Sequence, residues 1–302
     1  MFGPIIVFAL FALVFPLGKK ALLYSDPIFL SSMRMIIAGL CFLSYYFITY
    51  RNKSRIVTLE LSLQLFFLAF CNVYLTNICE FWGLQYLSVA KASFIYNLTP
   101  FISALIAYLI FKEKMSYRKW LGLAIGFIGF FPILLDSSKL EMSLGSIGFL
   151  SWPEIALFTA VTSTAVGWIL MQHLSQKKLP LSFLNGWSML IGGVIGLCTS
   201  YLVEVWDYVP VKNWSFFLQY MIPLAIISNI ICYALYSYLL RYYTPTFLTF
   251  FGFTCPLWAA FYGWLFCNEL IANSFIISSI IVIIGLYIFY QEELKSHFII
   301  NH

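Results

Sequence analysis

Long apolar runs, interrupted by charge clusters, prolines and polar turns, divide the chain into ten segments. They lie near 2–18, 28–50, 61–85, 92–111, 119–136, 149–172, 181–203, 215–240, 245–267 and 273–290. Each holds roughly 17–25 residues, enough for a helix to cross the ~30 Å hydrocarbon core of a bilayer. The loops are short and contain no inserted soluble domain. The pattern predicts an all-α integral membrane protein of ten transmembrane helices.

The segments also repeat. Leu98-Thr99-Pro100-Phe101 leads through an apolar run to Phe111-Lys112-Glu113-Lys114, and 156 residues later Thr254-Cys255-Pro256-Leu257 leads to Phe266-Cys267-Asn268-Glu269. At the same offset Tyr86 falls on Tyr242 and Gly129 on Gly285. A fixed offset of this kind predicts two homologous halves. Five spans per half is an odd number, so the second half would enter the membrane from the opposite side and form an inverted repeat, an arrangement used by carriers. The expected organisation is a first repeat over 1–136, an external linker over 137–148, a second repeat over 149–290 and a cytoplasmic tail over 291–302.

Composition narrows the class. Hydrophobic residues make up 62% of the chain and charged residues 10%, with a mean hydropathy of +0.91. A soluble domain of this length could not bury so much apolar surface. The net charge of +5 is scattered, with no basic run to suggest nucleic acid. All seven cysteines fall in apolar stretches and none forms a Cys-x-x-Cys pair, so no metal, cofactor or disulfide framework is expected. The three histidines, His173, His297 and His302, cannot build a membrane-embedded enzyme site, and no nucleotide-binding motif is present. Lys19 and Lys20 follow the first apolar segment rather than precede it, the reverse of a secretory signal, which predicts a retained helix.

Charge also sets the expected orientation. One set of loops carries eleven Lys and Arg residues (Arg51, Lys53, Arg55, Lys112, Lys114, Arg118, Lys119, Lys177, Lys178, Arg241 and Lys295). The opposite set carries five (Lys19, Lys20, Lys91, Lys139 and Lys212), and Arg34 inside a helix completes the seventeen. The positive-inside rule puts both termini in the cytoplasm, Glu113 at the cytoplasmic face and Glu269 at the external face. The abundance of Phe, Ile, Tyr and Asn suits an AT-rich bacterial genome, which makes the bacterial inner membrane the expected location.

Several motifs resemble a known family. Leu84-Gln85-Tyr86-Leu87-Ser88-Val89-Ala90-Lys91-Ala92-Ser93, then Thr99-Pro100, Lys112-Glu113-Lys114-Met115-Ser116 and Trp120-Leu121-Gly122 with Gly126 and Gly129, are similar to the third-to-fifth-helix signature of the drug/metabolite transporter superfamily (EamA type). Asp26-Pro27 with Arg34 and Ala38 resembles its second-helix pattern, while the second half is looser, with Phe247 at the Lys91 position and Ser278 at the Gly122 position. The resemblance implies two inverted five-helix bundles around a cavity lined mainly by helices 1, 3, 4, 6, 8 and 9. Members of that superfamily carry amino acids, nucleotide-related compounds and S-adenosylmethionine.

Glu80 is the leading candidate for binding substrate, because a carboxylate within a spanning helix is costly and marks a functional hypothesis. Asn72, Thr76 and Glu80 recur every four residues, with Asn77 adjacent, and the repeat offset sets Tyr233 against Asn77 and Tyr236 against Glu80 on the eighth segment beside Asn229 and Ser237. Two alternatives stand beside a site role for Glu80: an ion pair with Arg34, and exposure to water near a helix end. Arg34 itself reads either as a tie between helix ends or as a substrate contact. Tyr96 and Asn97 precede Pro100, where the missing backbone donor either frees a carbonyl for a ligand or hinge, or simply kinks the helix. Phe250, Phe253 and Trp258 surround Pro256; aromatic faces beside Glu80 would suit an organic cation. Glu113 and Glu269 read as turn and gate-packing residues. Glu154 fits a capping box with Ser151.

The expected function is secondary active transport of a small polar organic metabolite by alternating access. An amino acid or derivative, S-adenosylmethionine included, is the favoured substrate, with protons or an exchanged metabolite as coupling partner and the lipid bilayer as surroundings. The alternatives are a channel, a non-transporting membrane partner and a lipid-modifying enzyme.

Overall fold

The structure is a computed structural model that describes residues 2–50, 58–111, 116–136, 138–177, 179–243, 248 and 252–293. Eight of its helices are long and apolar enough to cross a membrane: α1 (Pro4–Ala21), α2 (Pro27–Thr49), α3 (Leu59–Leu84), α4 (Val89–Ile106), α5 (Tyr117–Leu135), α6 (Trp152–Gln176), α7 (Leu181–Val203) and α8 (Trp214–Leu239). Two shorter apolar helices follow, α9 (Cys255–Cys267) and α10 (Asn273–Phe289). Of the ninth segment expected to begin at 245, Leu248 is helical and a 3₁₀ turn at Gly252–Thr254 leads into α9, while residues 244–247 and 249–251 lie outside the described residues.

Polar residues sit where helix ends need them. Ser88, Ser116 and Ser151 each accept a bond from the backbone amide three residues on, as N-caps should. Asp26 precedes α2 without capping it. Instead Glu204, just past the end of α7, accepts from Ile28 N at 2.7 Å and Phe29 N at 2.9 Å. Burial pushes the Glu204 carboxyl above the ordinary carboxylate range, against the opposing effect of these hydrogen bonds.

The expected linker is itself structured. It holds a one-turn helix, Lys139–Met142, and part of a small antiparallel hairpin of β1 (Ser146–Ile147) and β2 (Leu150–Ser151).

The apolar surface is distributed as a bilayer requires. On α10, Ile276, Ile277, Ile280, Ile283, Ile284 and Tyr287 are exposed, while Phe275, Ser278, Val282, Leu286 and Phe289 face inward. This is one lipid stripe and one packing stripe at helical spacing. The packing stripe meets α5 backbone to backbone: a Cβ on Gly122 would lie 2.5 Å from Gly285 O, and one on Gly285 would lie 2.5 Å from Gly126 N. Only glycine permits that approach. A similar small-residue seam joins α2 to α7, where a Cβ on Gly39 would meet Leu190 N at 2.7 Å.

Element boundaries recur at the offset read from the sequence. The helices at Thr99–Phe111 and Cys255–Cys267 start 156 residues apart and both span 13 residues. Helix α3 widens into a π-helical stretch at Ala69–Leu75, and α8 does so at Ala225–Cys232, again 156 residues on.

Candidate functional site

Helices α1, α2, α3, α4, α6 and α8 and the turn leading into α9 converge on a cavity of about 110 Å³. The π-helical stretch of α3 decides what that helix presents there. Widening the helix shifts the phase of the residues on either side, a feature common at functional sites. Thr76, Asn77 and Glu80 therefore reach the cavity wall, whereas Asn72 is displaced from it. Asn72 packs instead against α6, where a Cβ on Gly167 would lie 2.4 Å from its own Cβ. The expected four-residue stripe is broken at its first member.

The carbonyls loosened by the π stretch are taken up locally. Cys71 O accepts from Thr76 Oγ1 and from Ser163 Oγ, both at 2.8 Å. On α4 the absence of an amide proton on Pro100 frees Tyr96 O, and the Thr99 hydroxyl donates to it. That carbonyl is thus already occupied. The helix tightens just before the proline through Asn97 N to Phe94 O at 2.9 Å and Leu98 N to Ile95 O at 3.0 Å.

Charge at the cavity is arranged unusually. Arg34 and Glu80 both line the wall and are 0% and 7% exposed. They lie close enough to act on each other electrostatically, yet no ion pair joins them among the described residues. The alternative reading of Glu80 as one partner of a salt bridge is not realised. Arg34 donates instead to Asn77 Oδ1 and, at 3.4 Å, to Asn229 Oδ1, with its guanidinium carbon 4.0 Å from the Phe81 ring centre. The Arg34 Nε is buried without an acceptor. The Tyr96 hydroxyl faces Glu80 and Thr164 without a hydrogen bond of good geometry.

The opposite wall is aromatic. Tyr236 lies 4.4 Å from Trp168 between ring centres, and 6.0 and 6.2 Å from Phe8 and Phe11. Tyr233 lines the same space and donates to Asn72 O at 3.3 Å.

Of the residues expected at the site, Thr76, Asn77, Glu80, Tyr96, Asn97, Tyr233, Tyr236, Arg34 and Pro100 share this cavity. Asn229 does not line it; it stands behind Arg34, with its amide nitrogen 3.0 Å from Met35 Sδ. Ser237 pairs with Asn185 at 3.1 Å. Pro256 occupies the first turn of α9 and lines a small side pocket with Phe94 and Asn97. Trp258 is exposed on the outside of α9. Glu113, Phe250 and the side chain of Phe253 lie outside the described residues. The sequence reading did not single out Phe8, Phe11, Thr164 or Trp168. Their only signal, an aromatic or hydroxyl spacing along helix, is hidden in a chain with 31 Phe and 9 Trp.

Glu154 and Glu269 belong to one end of the bundle. Asn268 ends α9 in the left-handed region, at φ 52°, a conformation asparagine tolerates. That turn delivers Glu269 to Lys19 at 3.1 Å and to Val89 N at 2.8 Å. Nearby, Lys91 is not the solvated loop charge its sequence position suggests but 4% exposed. Its Nζ lies 2.9 Å from Glu141 Oε1, 2.8 Å from Glu154 Oε1 and 3.2 Å from Asp136 O. Glu141 and Glu154 each turn the other oxygen to a capping box, with Ser138 and Ser151. One lysine therefore ties the start of α4, the linker and the start of α6 together.

A multi-pass bundle of apolar helices, with opposed charges held in a cavity between them, is the architecture of a membrane transporter. The pattern of the EamA-like transporter family matches residues 1–135 and again 151–291. The chain belongs to that family, and it is a transporter rather than an enzyme. It is 32% identical over 294 residues to the S-adenosylmethionine/S-adenosylhomocysteine transporter of Chlamydia muridarum, covering 95% of this chain and 90% of that one. It is 32% identical to the protein of the same description from Chlamydia trachomatis serovar D, covering 95% and 88%. Identity to the chloroplastic WAT1-related protein At3g02690 of Arabidopsis thaliana is 24%, covering 89% and 64%. One solved crystal structure shares the fold at a TM-score of 0.65 and 13% identity, over 98% of this chain and 97% of that one.

Proposed function

We propose that this chain is a secondary active carrier of S-adenosyl compounds, exchanging S-adenosylmethionine for S-adenosylhomocysteine across a bacterial inner membrane by alternating access. The observation that carries this reading is the near full-length similarity to chlamydial transporters of those two compounds. Thr76, Asn77, Glu80, Tyr96, Asn97, Tyr233 and Tyr236 form the substrate site, with Asn229 behind Arg34 in support. At about 110 Å³ the cavity is smaller than the ~300 Å³ at the low end of ligand pockets. That supports a contracted conformation, from which the helices must part further to admit a nucleoside.

In this reading ten spans form two inverted five-helix repeats, 1–136 and 149–290, joined by an external linker at 137–148 and followed by a cytoplasmic tail at 291–302. The 156-residue recurrence of helix starts and π stretches supports the duplication. The family pattern, matching once in each half, supports it further. The charge asymmetry of the loops supports cytoplasmic termini. The ion pairs of Lys19 with Glu269 and of Lys91 with Glu141 and Glu154 then close the external end, with Pro100 within α4 and Pro256 in the first turn of α9 as the moving points.

Purified protein in liposomes preloaded with S-adenosylhomocysteine tests this directly. Uptake of labelled S-adenosylmethionine should saturate and rise several-fold over empty liposomes. Flux that neither saturates nor responds to internal substrate would indicate a channel, and absence of uptake would remove S-adenosyl compounds as the substrate.

A further inference from the structure

We infer that Arg34 and Glu80 form a zwitterion clamp, in which Arg34 binds a substrate carboxylate while Glu80 receives the neighbouring ammonium. This rests on the reading of the cavity as the transport site and names the part of the substrate that the site grips.

Arg34 supplies the positive charge on the cavity wall. A guanidinium stays charged at any accessible pH and carries five N–H donors in a planar fork. Here it is 0% exposed, and its two hydrogen bonds both go to neutral amides, Asn77 and Asn229. Its Nε is buried, faces no acceptor, and belongs to a residue on the cavity wall. A structural arginine in such a setting would be expected to meet a carboxylate, because a buried charge without a counter-ion is expensive.

The carboxylate available is Glu80, on the same cavity wall, and it forms no ion pair with Arg34 among the described residues. Asn77 helps keep them apart: its Nδ2 is anchored on Val73 O at 2.7 Å while its Oδ1 accepts from Arg34. The Phe81 ring supports the guanidinium from its own face. Two opposite charges are thus held apart at one cavity, with Arg34 Nε left without an acceptor.

A ligand that satisfies both must carry an anion able to take two parallel N–H bonds and a cation a short distance away. An α-amino acid group has both, and bidentate capture of a carboxylate is the interaction an arginine fork makes best. S-Adenosylmethionine and S-adenosylhomocysteine share that end and differ only by the methyl group, with its positive charge, at sulfur. A clamp on the shared end would accept both, as an exchanger requires, with the aromatic wall of Phe8, Phe11, Trp168 and Tyr236 left for the rest of the molecule.

Matched ligand pairs test the clamp by direct binding to purified protein in nanodiscs. One pair is S-adenosylhomocysteine and its decarboxylated analogue, S-adenosyl-3-thiopropylamine; the other is methionine and 3-methylthiopropylamine. The wild type should bind the acid of a pair at least tenfold more tightly than the amine. Arg34→Ala should reduce that preference to within about twofold, Arg34→Lys should leave it intermediate, and Glu80→Gln should weaken both members while the preference survives. Equal binding of acid and amine by the wild type in both pairs, or an undiminished preference in Arg34→Ala, would overturn the clamp. If Arg34→Ala does not fold, the wild-type comparison and Arg34→Lys decide. If methionine is preferred to its amine while neither adenosyl compound binds, the clamp stands and the S-adenosyl reading fails.

Discussion

Two buried charge clusters in this molecule look alike by composition and differ in completeness. At the external end, in the proposed orientation, Lys91 lies against three oxygens, from Glu141, Glu154 and Asp136, and both carboxylates use their remaining oxygen to cap a helix. In the central cavity Arg34 and Glu80 make no ion pair, and Arg34 Nε has no acceptor. The first cluster is internally satisfied and needs nothing from outside. The second is held short of satisfaction by its own surroundings, in a place where each uncompensated charge is expensive. A fold keeps such an arrangement where a ligand supplies the missing partners, so saturation separates the structural cluster from the functional one more reliably than burial does.

The largest effect is expected from breaking the satisfied cluster. Lys91→Met leaves two carboxylates buried without a cation, which should destabilise the protein by about 3–5 kcal/mol. Thermal unfolding in a mild detergent measures it, and adding Glu141→Gln and Glu154→Gln to that variant should recover part of the loss. If Lys91→Met unfolds like the wild type, the triad is not the structural tie its geometry indicates.

The smallest effect concerns Glu204, which caps α2 from the far side of the chain. Burial raises its carboxyl above the ordinary range, so the folded protein holds this proton more tightly than the unfolded chain does. Its contribution to stability is therefore full below the unfolded value of about 4.3 and falls as pH rises through the higher folded value. Glu204→Gln should remove that slope from the pH dependence of the unfolding temperature while keeping an acceptor for Ile28 N. An unchanged slope would assign the titration to another group.

Much of this was legible in the chain. Eight of the spans follow from runs of apolar residues, and the 156-residue recurrence of helix starts at Thr99 and Cys255 follows from Pro100 and Pro256 at one offset. Thr76, Asn77, Glu80, Tyr96, Asn97, Tyr233 and Tyr236 converge on one cavity because polar residues inside apolar helices have few other places to go. What could not be read has physical reasons. The π stretch at Ala69–Leu75 contains neither Pro nor Gly to announce it, and it moves Asn72 off the cavity. Lys91 counts as a loop cation until the fold brings Glu141 and Glu154 to it from 50 and 63 residues away. Trp168 and Phe8 become a wall only by tertiary packing, since along the chain they resemble every other aromatic residue facing lipid.

In the proposed reading the Glu80 carboxylate serves transport and not folding. Counterflow of S-adenosylmethionine and thermal unfolding, measured together on Glu80→Gln, test it most directly. At least a tenfold loss of counterflow is expected, with a loss of stability well below the ~3–5 kcal/mol expected for Lys91→Met, because no ion pair joins Glu80 to Arg34 among the described residues. Unaltered counterflow would contradict it, and so would a loss of stability as large as that expected for Lys91→Met.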